Sequence, residues 1–366
     1  MTETGSIPTV DVSNIESISS LPRIVSTTFG ASVKSVFTAQ LEGGIGDVLA
    51  MENENAQLDH VKEINEELTA GSMYLASAGS TTTSTVPAAV AKHIKIGDVL
   101  TVWDTSANDW INTSGVTVSA VNTSTGVITH GTTTAAVADG DGIAIYSRAG
   151  FTSIDDIVAQ DGASMGGVYD SNANFAANGG VRAYDLTYGD RTSGNWNAAA
   201  TISDNNGTGR DLSLNLIDNC IMNIRTNGGE PKVIVLGHDQ YFTLERLLNS
   251  QQRYMGQEEY QVGVGSERTF PGTRTGLVLA TYQGIPILPD ADTPKSVSTA
   301  DAVLGSNVYV LDTDYLEIAL AQPTQYVENR DYFAANALVV RGLLYTMGEL
   351  RCKNFFVQAK VTDLNT

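Results

Sequence analysis

The sequence predicts an α+β fold with an inserted small β-barrel or sandwich domain, and three features predict it. Between Gly71 and Arg148 short runs of β-branched residues alternate with polar ones at spacings of about ten residues. One clear amphipathic helix covers Asp211 to Arg225, and after it the period switches to that of strands. The chain then closes in two long alternating segments, NALVVRGLLYTM and GELRCKNFFVQAKVTDL.

In chain order, residues 1–30 are polar and irregular and read as an extended arm. Residues 51–68, MENENAQLDHVKEINEEL, place Leu58, Val61, Ile64 and Leu68 at a weak helical period, so this stretch is a short helix or an extended loop. Within the β-rich stretch the runs HIKIGDVLTVW, GVTVSAV, GVITH and GIAIYS are separated by the turn signals SAND, NTSTG and DGDG. Residues 151–209 are loop-rich, with a short helix at Ile154 to Ala159. In the amphipathic helix Leu212, Leu216, Ile217, Cys220, Ile221 and Ile224 share one face, and Gly228 and Gly229 stop it. PKVIVLG then reads as a buried strand and HDQYFTLERLLN as a helix with Asp239 near its start. Strands resume at LVLATY, GIPILP, VYVLD and YLEIALA. In the last segment Phe355, Val357, Ala359 and Val361 fall on one face, Gln358 and Lys360 on the other, and Gly348–Glu349 reads as a hairpin turn.

Length and composition narrow the function. A chain of 366 residues with 42% hydrophobic content has material for two domains, or for one with a large insertion. The formal net charge is −20, and only 8 of the 21 basic residues are Lys. Such a surface repels phosphates and anionic membranes, and it stays soluble in molar salt, where the repulsion is screened. A halophilic host is one expectation, an ordinary acidic protein the other. No secretory signal and no apolar run of membrane-spanning length occurs in the sequence. Cys220 and Cys352 lie in apolar segments and are expected as buried thiols.

The residues that carry chemistry elsewhere form no constellation here. His60, His93, His130 and His238 lack metal-ligand spacing and are expected as surface or packing residues. Gly162–Gly166 fits G-x-S-x-G around Ser164, but neither the strand before nor the helix after it is in place. The pairs Asp139/Asp141, Asp290/Asp292 and Asp312/Asp314 suit turns first and a cation at a subunit contact second. Gly263–Val264–Gly265 is too short for a nucleotide loop, and the N-x-S/T strings at Asn112, Asn122 and Asn206 are of the kind a Thr-rich chain produces by chance. No catalytic, cofactor-binding or metal residue is therefore assigned; an enzyme and a cofactor are not expected.

The order of elements resembles the major capsid proteins of tailed viruses, the Hong Kong 97-type fold, over roughly Phe29 to Leu364. The helix at 211–225 is similar to the family's spine helix, PKVIVLGHDQYFTLERLL to the entry into its axial domain, and GIPILPDADTP to a recurrent segment there. FAANALVVRGLLYTMGELRCKNFFVQAKVTDL resembles the strands that return to the peripheral domain. HIKIGDVLTVW followed by VTVSAVNTSTGVITHGTTTAAVADGDGIAIYSRAG is similar to a β-rich domain inserted in a subgroup typified by SU-ten-like phage capsid proteins.

The resemblance implies an arm at 1–30, an extended loop region at 31–70, the inserted domain at 71–150, a peripheral domain with spine helix at 151–229, an axial domain at 230–335 and closing strands at 336–366. It implies a shell protein of the virion, assembled in the host cytoplasm. Copies of itself, as homo-hexamers and homo-pentamers of an icosahedral lattice, are its main partners. Portal, scaffolding and decoration proteins join them, double-stranded DNA is contacted without sequence preference, and no membrane is involved. The arm and the loop near 40–70 are expected to lie across neighbouring subunits. Only about 30 residues precede the fold, so a built-in scaffolding segment is not expected. Arg23, Arg182, Arg191 and Arg210 are candidates for softening repulsion from the genome, and no crosslinking residue is assigned. The alternative is a secreted or cell-surface β-rich adhesion protein, which the Thr-rich segment suits and the missing signal does not.

Overall fold

A computed structural model describes residues 19–39, 47–107, 109–112, 114–158, 183–184, 186, 201–203, 205, 208–252, 281–297, 303–329 and 338–366. Three sheets carry the architecture, with a two-stranded ribbon of β14 (Lys295–Val297) and β15 (Val303–Ser306) beside them.

The first sheet has three strands, in the spatial order β1 (Arg23–Ser32), β18 (Val339–Cys352), β17 (Leu316–Asn329), all antiparallel. A short helix α1 (Val33–Ala39) follows β1, and α2 (Val48–Leu68) packs on β1 and β18. Part of the segment read as an arm is strand β1, and of the two readings of residues 51–68, short helix or extended loop, the structure shows the helix, 21 residues long from Val48 to Leu68. The helix forms because Asp47 caps it, its carboxylate accepting from the N–H groups of Leu49 and Ala50, and because Ala, Met, Leu, Glu, Gln and Lys dominate its interior. It lies against β1 and β18 of its own chain.

The second sheet is the β-rich unit. Its path runs β2 (Met73–Leu75), β9 (Gly142–Ser147), β5 (Val99–Asp104), β7 (Val116–Asn122), β8 (Val127–His130), β4 (Thr83–Thr85), β3 (Ala78–Gly79), with β6 (Asp109–Trp110) on β5 and a short helix α3 (Ala88–Ala91) alongside. Every pairing is antiparallel. The eight strands surround one core whose described members all lie within 73–145, with Trp103 and Trp110 edge to face at 5.2 Å between ring centroids. The four predicted runs match β5, β7, β8 and β9, and the short strands β2, β3, β4 and β6 were not predicted.

The third sheet has six strands, ordered β10 (Thr201–Ser203), β19 (Gln358–Val361), β16 (Val308–Leu311), β11 (Val233–Leu236), β13 (Ile285–Pro289), β12 (Thr281–Tyr282). A short helix α4 (Ile154–Val158) precedes it in the chain, and α5 (Leu214–Thr226) and α6 (His238–Gln252) follow β10 and β11. The amphipathic helix buries Ile217, Cys220, Ile221 and Ile224 against Ile234, Ile287, Val310 and Ala359. The boundary expected at 229/230 therefore falls inside one continuous core: helix and sheet bury the same apolar faces against each other. The closing segment also differs. Strand β18 runs straight through Gly348–Glu349, and the chain turns at Phe355–Val357 before β19. At Gly348 a Cβ would press on the carbonyl oxygen of Ala319, so this glycine allows close strand approach where a turn was expected. Gln358 and Lys360 are buried along with the apolar residues that alternate with them, because both faces of β19 are covered.

Candidate functional site

The three-stranded sheet has one face covered and one face open. On the covered side the His60 ring of α2 lies between two strands, Nδ1 2.9 Å from Thr27 Oγ1 and Nε2 2.8 Å from Thr346 Oγ1. Burial lowers the His60 pKa, which keeps the ring neutral and able to donate on one side and accept on the other. Farther along, Phe29 and Tyr326 stack across β18 at 6.0 Å, over Gly342, whose missing side chain makes room for the Phe29 ring. The register puts Ile24 beside Met347 and Leu343 beside Val327 on the opposite side, with Tyr345 between these rows. Met347, Tyr345 and Leu343 are half-buried, Ile24 and Val327 exposed.

The outward side of α2 is apolar as well. Ala56, His60 and Glu67 are its buried face, whereas Met51, Leu58 and Val61, spaced i, i+7 and i+10, are exposed on the other side. Helix and sheet thus form a layered unit whose outer sides both carry apolar surface that no described residue covers, the pattern of a subunit that packs against others.

A charged seam joins the β-rich unit to the rest. Arg148 binds the Asp156 carboxylate through Nε at 2.5 Å and Nη2 at 3.0 Å, and Nη2 also donates to the carbonyls of Ala70 and Gly71. Asp155 accepts from Ser72 N and Oγ, from Tyr309 OH at 2.7 Å and from Lys360 Nζ at 2.7 Å. Burial alone would raise the Asp155 pKa; Lys360, Ser72 and Tyr309 outweigh it and hold the carboxyl at about 2. Glu67 binds Lys95 at 3.2 Å and accepts from Phe151 N. Asn65 bridges Asp290 and Asp292, and Lys92 pairs with Asp292 at 3.0 Å. Directional pairs of this kind set the angle between the β-rich unit and the body, since the two share no apolar cluster among the described residues. The sequence reading missed the seam, because its members are up to 227 residues apart. The one local signal was Lys360, set between Ala359 and Val361 in a fully buried strand.

The residues singled out from sequence are not brought together. His93 and His130 are buried in the β-rich unit, His130 on Ser84 and the Gly131 carbonyl, and His238 is exposed. Asp141 and Asp312 cap turns, the first accepting from Thr105 N and Ala138 N, the second from Glu230 N and Asp314 N. No group of three or more His, Cys, Asp or Glu among the described residues is placed to hold a metal ion. Cys220 and Cys352 are buried and not in a disulfide, as expected. Asn112 is buried and binds the backbone of Val102 and Leu100, while Asn122 caps the β7–β8 turn. Arg23 pairs with Glu349 at 3.4 Å, and Arg210 donates to the Thr362 carbonyl. Ser164, Gly263–Gly265, Asn206, Arg182 and Arg191 lie outside the described residues.

The family model described as "SU10 major capsid protein" matches residues 2–365. The chain belongs to the SU10 major capsid protein family. Among solved structures, the capsid asymmetric unit of cyanophage A-1(L) aligns with a TM-score of 0.52 at 13% identity, covering 99% of this chain and 85% of that one. The procapsid of satellite phage P4, solved with its size determination (Sid) protein, gives 0.40 at 11% identity over 100% and 77% of the two chains. An encapsulin complex of Synechococcus elongatus PCC 7942 gives 0.28 at 11% over 45% and 53%. No curated protein matches. A member of this family is a structural component of the virion, a capsid subunit used in many copies, and the two uncovered apolar surfaces described above suit that use. The alternative of a cell-surface adhesion protein is set aside by the family match. No helix among the described residues is long and apolar enough to cross a membrane.

Proposed function

We propose that the chain closes rings of six and five copies into an icosahedral head around double-stranded DNA. The observation that carries this is the layered unit of α2 on β1, β18 and β17, with Met51, Leu58 and Val61 exposed on one side and Ile24 and Val327 on the other. Covering a half-exposed apolar side chain contributes on the order of 1 kcal/mol. Each such contact is small, but repetition over a closed lattice sums them, and the same patches recur at every symmetry-related position. The arm and the segments beside it lend further contacts across neighbours.

The β-rich unit, with its own core and a fixed seam, is an outward module inserted in the shell subunit and a seat for decoration proteins. Portal and scaffolding proteins complete the particle. With a net charge of −20 the chain meets the genome without tight or specific binding, and it works without a catalytic centre or cofactor. The acidic, Lys-poor composition fits a halophilic host. Negative-stain micrographs of the purified protein across a concentration and salt series test the reading. Rings or shells are expected, and a monomer at every concentration and salt level would overturn it.

A further inference from the structure

A single chain of hydrogen bonds crosses the layered unit of α2 on β1, β18 and β17. Thr27 Oγ1 donates to Glu63 Oε2 at 2.8 Å and lies 2.9 Å from His60 Nδ1. His60 Nε2 is 2.8 Å from Thr346 Oγ1, which is 2.8 Å from Thr324 Oγ1. The helix supplies Glu63 and His60, and each strand supplies one threonine. His60 and Thr346 are buried.

The chain has one direction. A carboxylate only accepts, so the Thr27 hydroxyl proton points to Glu63. Thr27 Oγ1 must then accept from the ring, which puts the imidazole proton on Nδ1. Nε2 of the neutral ring accepts the Thr346 proton, and Thr346 Oγ1 accepts that of Thr324. Every proton in the chain points toward Glu63.

A second ring proton does not fit this order. On Nε2 it would face the Thr346 proton, so Thr346 would have to turn to Thr324, and Thr324 would have to turn away. The surroundings compensate little for the charge. On α2 itself Glu63 favours the charged ring, but this carboxylate is shared with Lys95 of the β-rich unit at 3.6 Å. The strands face the ring with hydroxyls, and beside these stand the buried Leu344, opposite Thr27, and the buried Val25, opposite Thr346. Farther along β1 and β18, Arg23 and Glu349 pair with each other. Burial therefore outweighs Glu63 and lowers the His60 pKa from the ordinary 6.5.

We propose that His60 is a proton-sensitive latch, which when neutral fastens α2 to all three strands and on taking a second proton releases the helix together with the assembly surface that it carries. The loss of assembly rests on the shell reading; the latch does not. Below pH 6.5 a ring freed from the sheet takes a proton that the packed ring refuses. The stabilisation is thus complete above 6.5 and declines as pH falls below it. Neighbours packed on the unit would remove more water from the ring, so acid and assembly oppose each other.

The chain carrying isotope-labelled histidine, dilute and unassembled, is read by long-range proton–nitrogen spectra. His60→Gln assigns the signal, or, should that variant not fold, Thr346→Val does so by the shift it causes at Nε2. The Nδ1–H form with a midpoint below 6.5 is expected; the Nε2–H form, or a midpoint at 6.5 or above, overturns the latch. His60→Gln keeps a donor and an acceptor without the titration, so between pH 7 and pH 5 the parent's urea midpoint should drop relative to the variant's. Equal pH dependence of the two overturns the latch. By light scattering the parent should lose assembly at pH 5 and His60→Gln retain it, and equal loss in both overturns the release of α2. Absence of assembly at either pH, with the expected ring form, strikes the shell reading and leaves the latch standing.

Discussion

Asp156→Ala strands the Arg148 guanidinium inside the seam. Asp156 is 1% and Arg148 8% exposed, and the carboxylate takes two hydrogen bonds from Arg148 and one from the Ser153 N–H. After the substitution the cation keeps its hydrogen bonds to the carbonyls of Ala70 and Gly71 and the more distant attraction of Asp98. Removing one partner of a buried pair costs about 3–5 kcal/mol, a large part of the 5–15 kcal/mol that stabilises a typical domain. Because the β-rich unit has a separate core, the damage should also divide the unfolding. In a Trp196→Phe background Trp103 and Trp110 report that unit by fluorescence, and far-ultraviolet circular dichroism reports all three sheets. In urea the two signals should coincide in the parent and separate in Asp156→Ala, with the Trp transition moving to lower urea. The pair Arg148→Met with Asp156→Leu removes both charges and should recover more than half of the loss. A cost under about 1 kcal/mol, or a double variant no better than the single, would refute the view that the seam is held by compensated charge.

The Asp155 carboxyl, held at about 2 against an ordinary 3.8, stabilises the fold above the ordinary value and loses that effect as pH falls toward 2. The stability gap between the parent and Asp155→Asn should therefore be widest above pH 4 and shrink toward pH 2, read from urea midpoints across that range. Gly342→Val places a side chain where the Phe29 ring lies, so it should part the Phe29–Tyr326 stack, cost about 1–3 kcal/mol in thermal unfolding and speed proteolysis at β1. Met51→Glu, Leu58→Glu and Val61→Glu together alter only exposed positions of α2; the circular dichroism spectrum should stay unchanged while light scattering shows assembly lost. Burial pushes the Cys220 thiol up to about 12, so a maleimide at pH 8 should leave it unlabelled until urea is added, as mass spectrometry of the intact chain would show.

Strands β5, β7, β8 and β9 were legible because each declares itself locally, with alternating Val, Ile and Thr bounded by Gly, Asp and Asn, whereas β2, β3, β4 and β6, two or three residues each, are too short to show a period. The amphipathic helix declared itself through Ile217, Cys220, Ile221 and Ile224, all turned to one core. Helix α2 was harder to read, since its buried face is Ala56, His60 and Glu67, held by hydrogen bonds and an ion pair to distant residues that no helical period reveals. Gly348 misled for a related reason: a glycine that makes room for a neighbouring strand has the same letter as one that makes a turn. The uncovered apolar surfaces and the seam depend on register between β1, β18 and β17 and on contacts such as Lys360 with Asp155, which exist only once the chain is folded.

The pairing of β2 with β9 brings the entry and exit of the β-rich unit side by side, with Met73 opposite Ala144. Everything between them closes on its own interior. Genetically, such a unit is a cassette: it can be lengthened, exchanged for another or trimmed away without reopening the remaining two cores, provided that the charges at its base are retained or neutralised together. Selection acting on what a particle presents to its surroundings therefore has a stretch of gene on which to work at little expense to the lattice beneath.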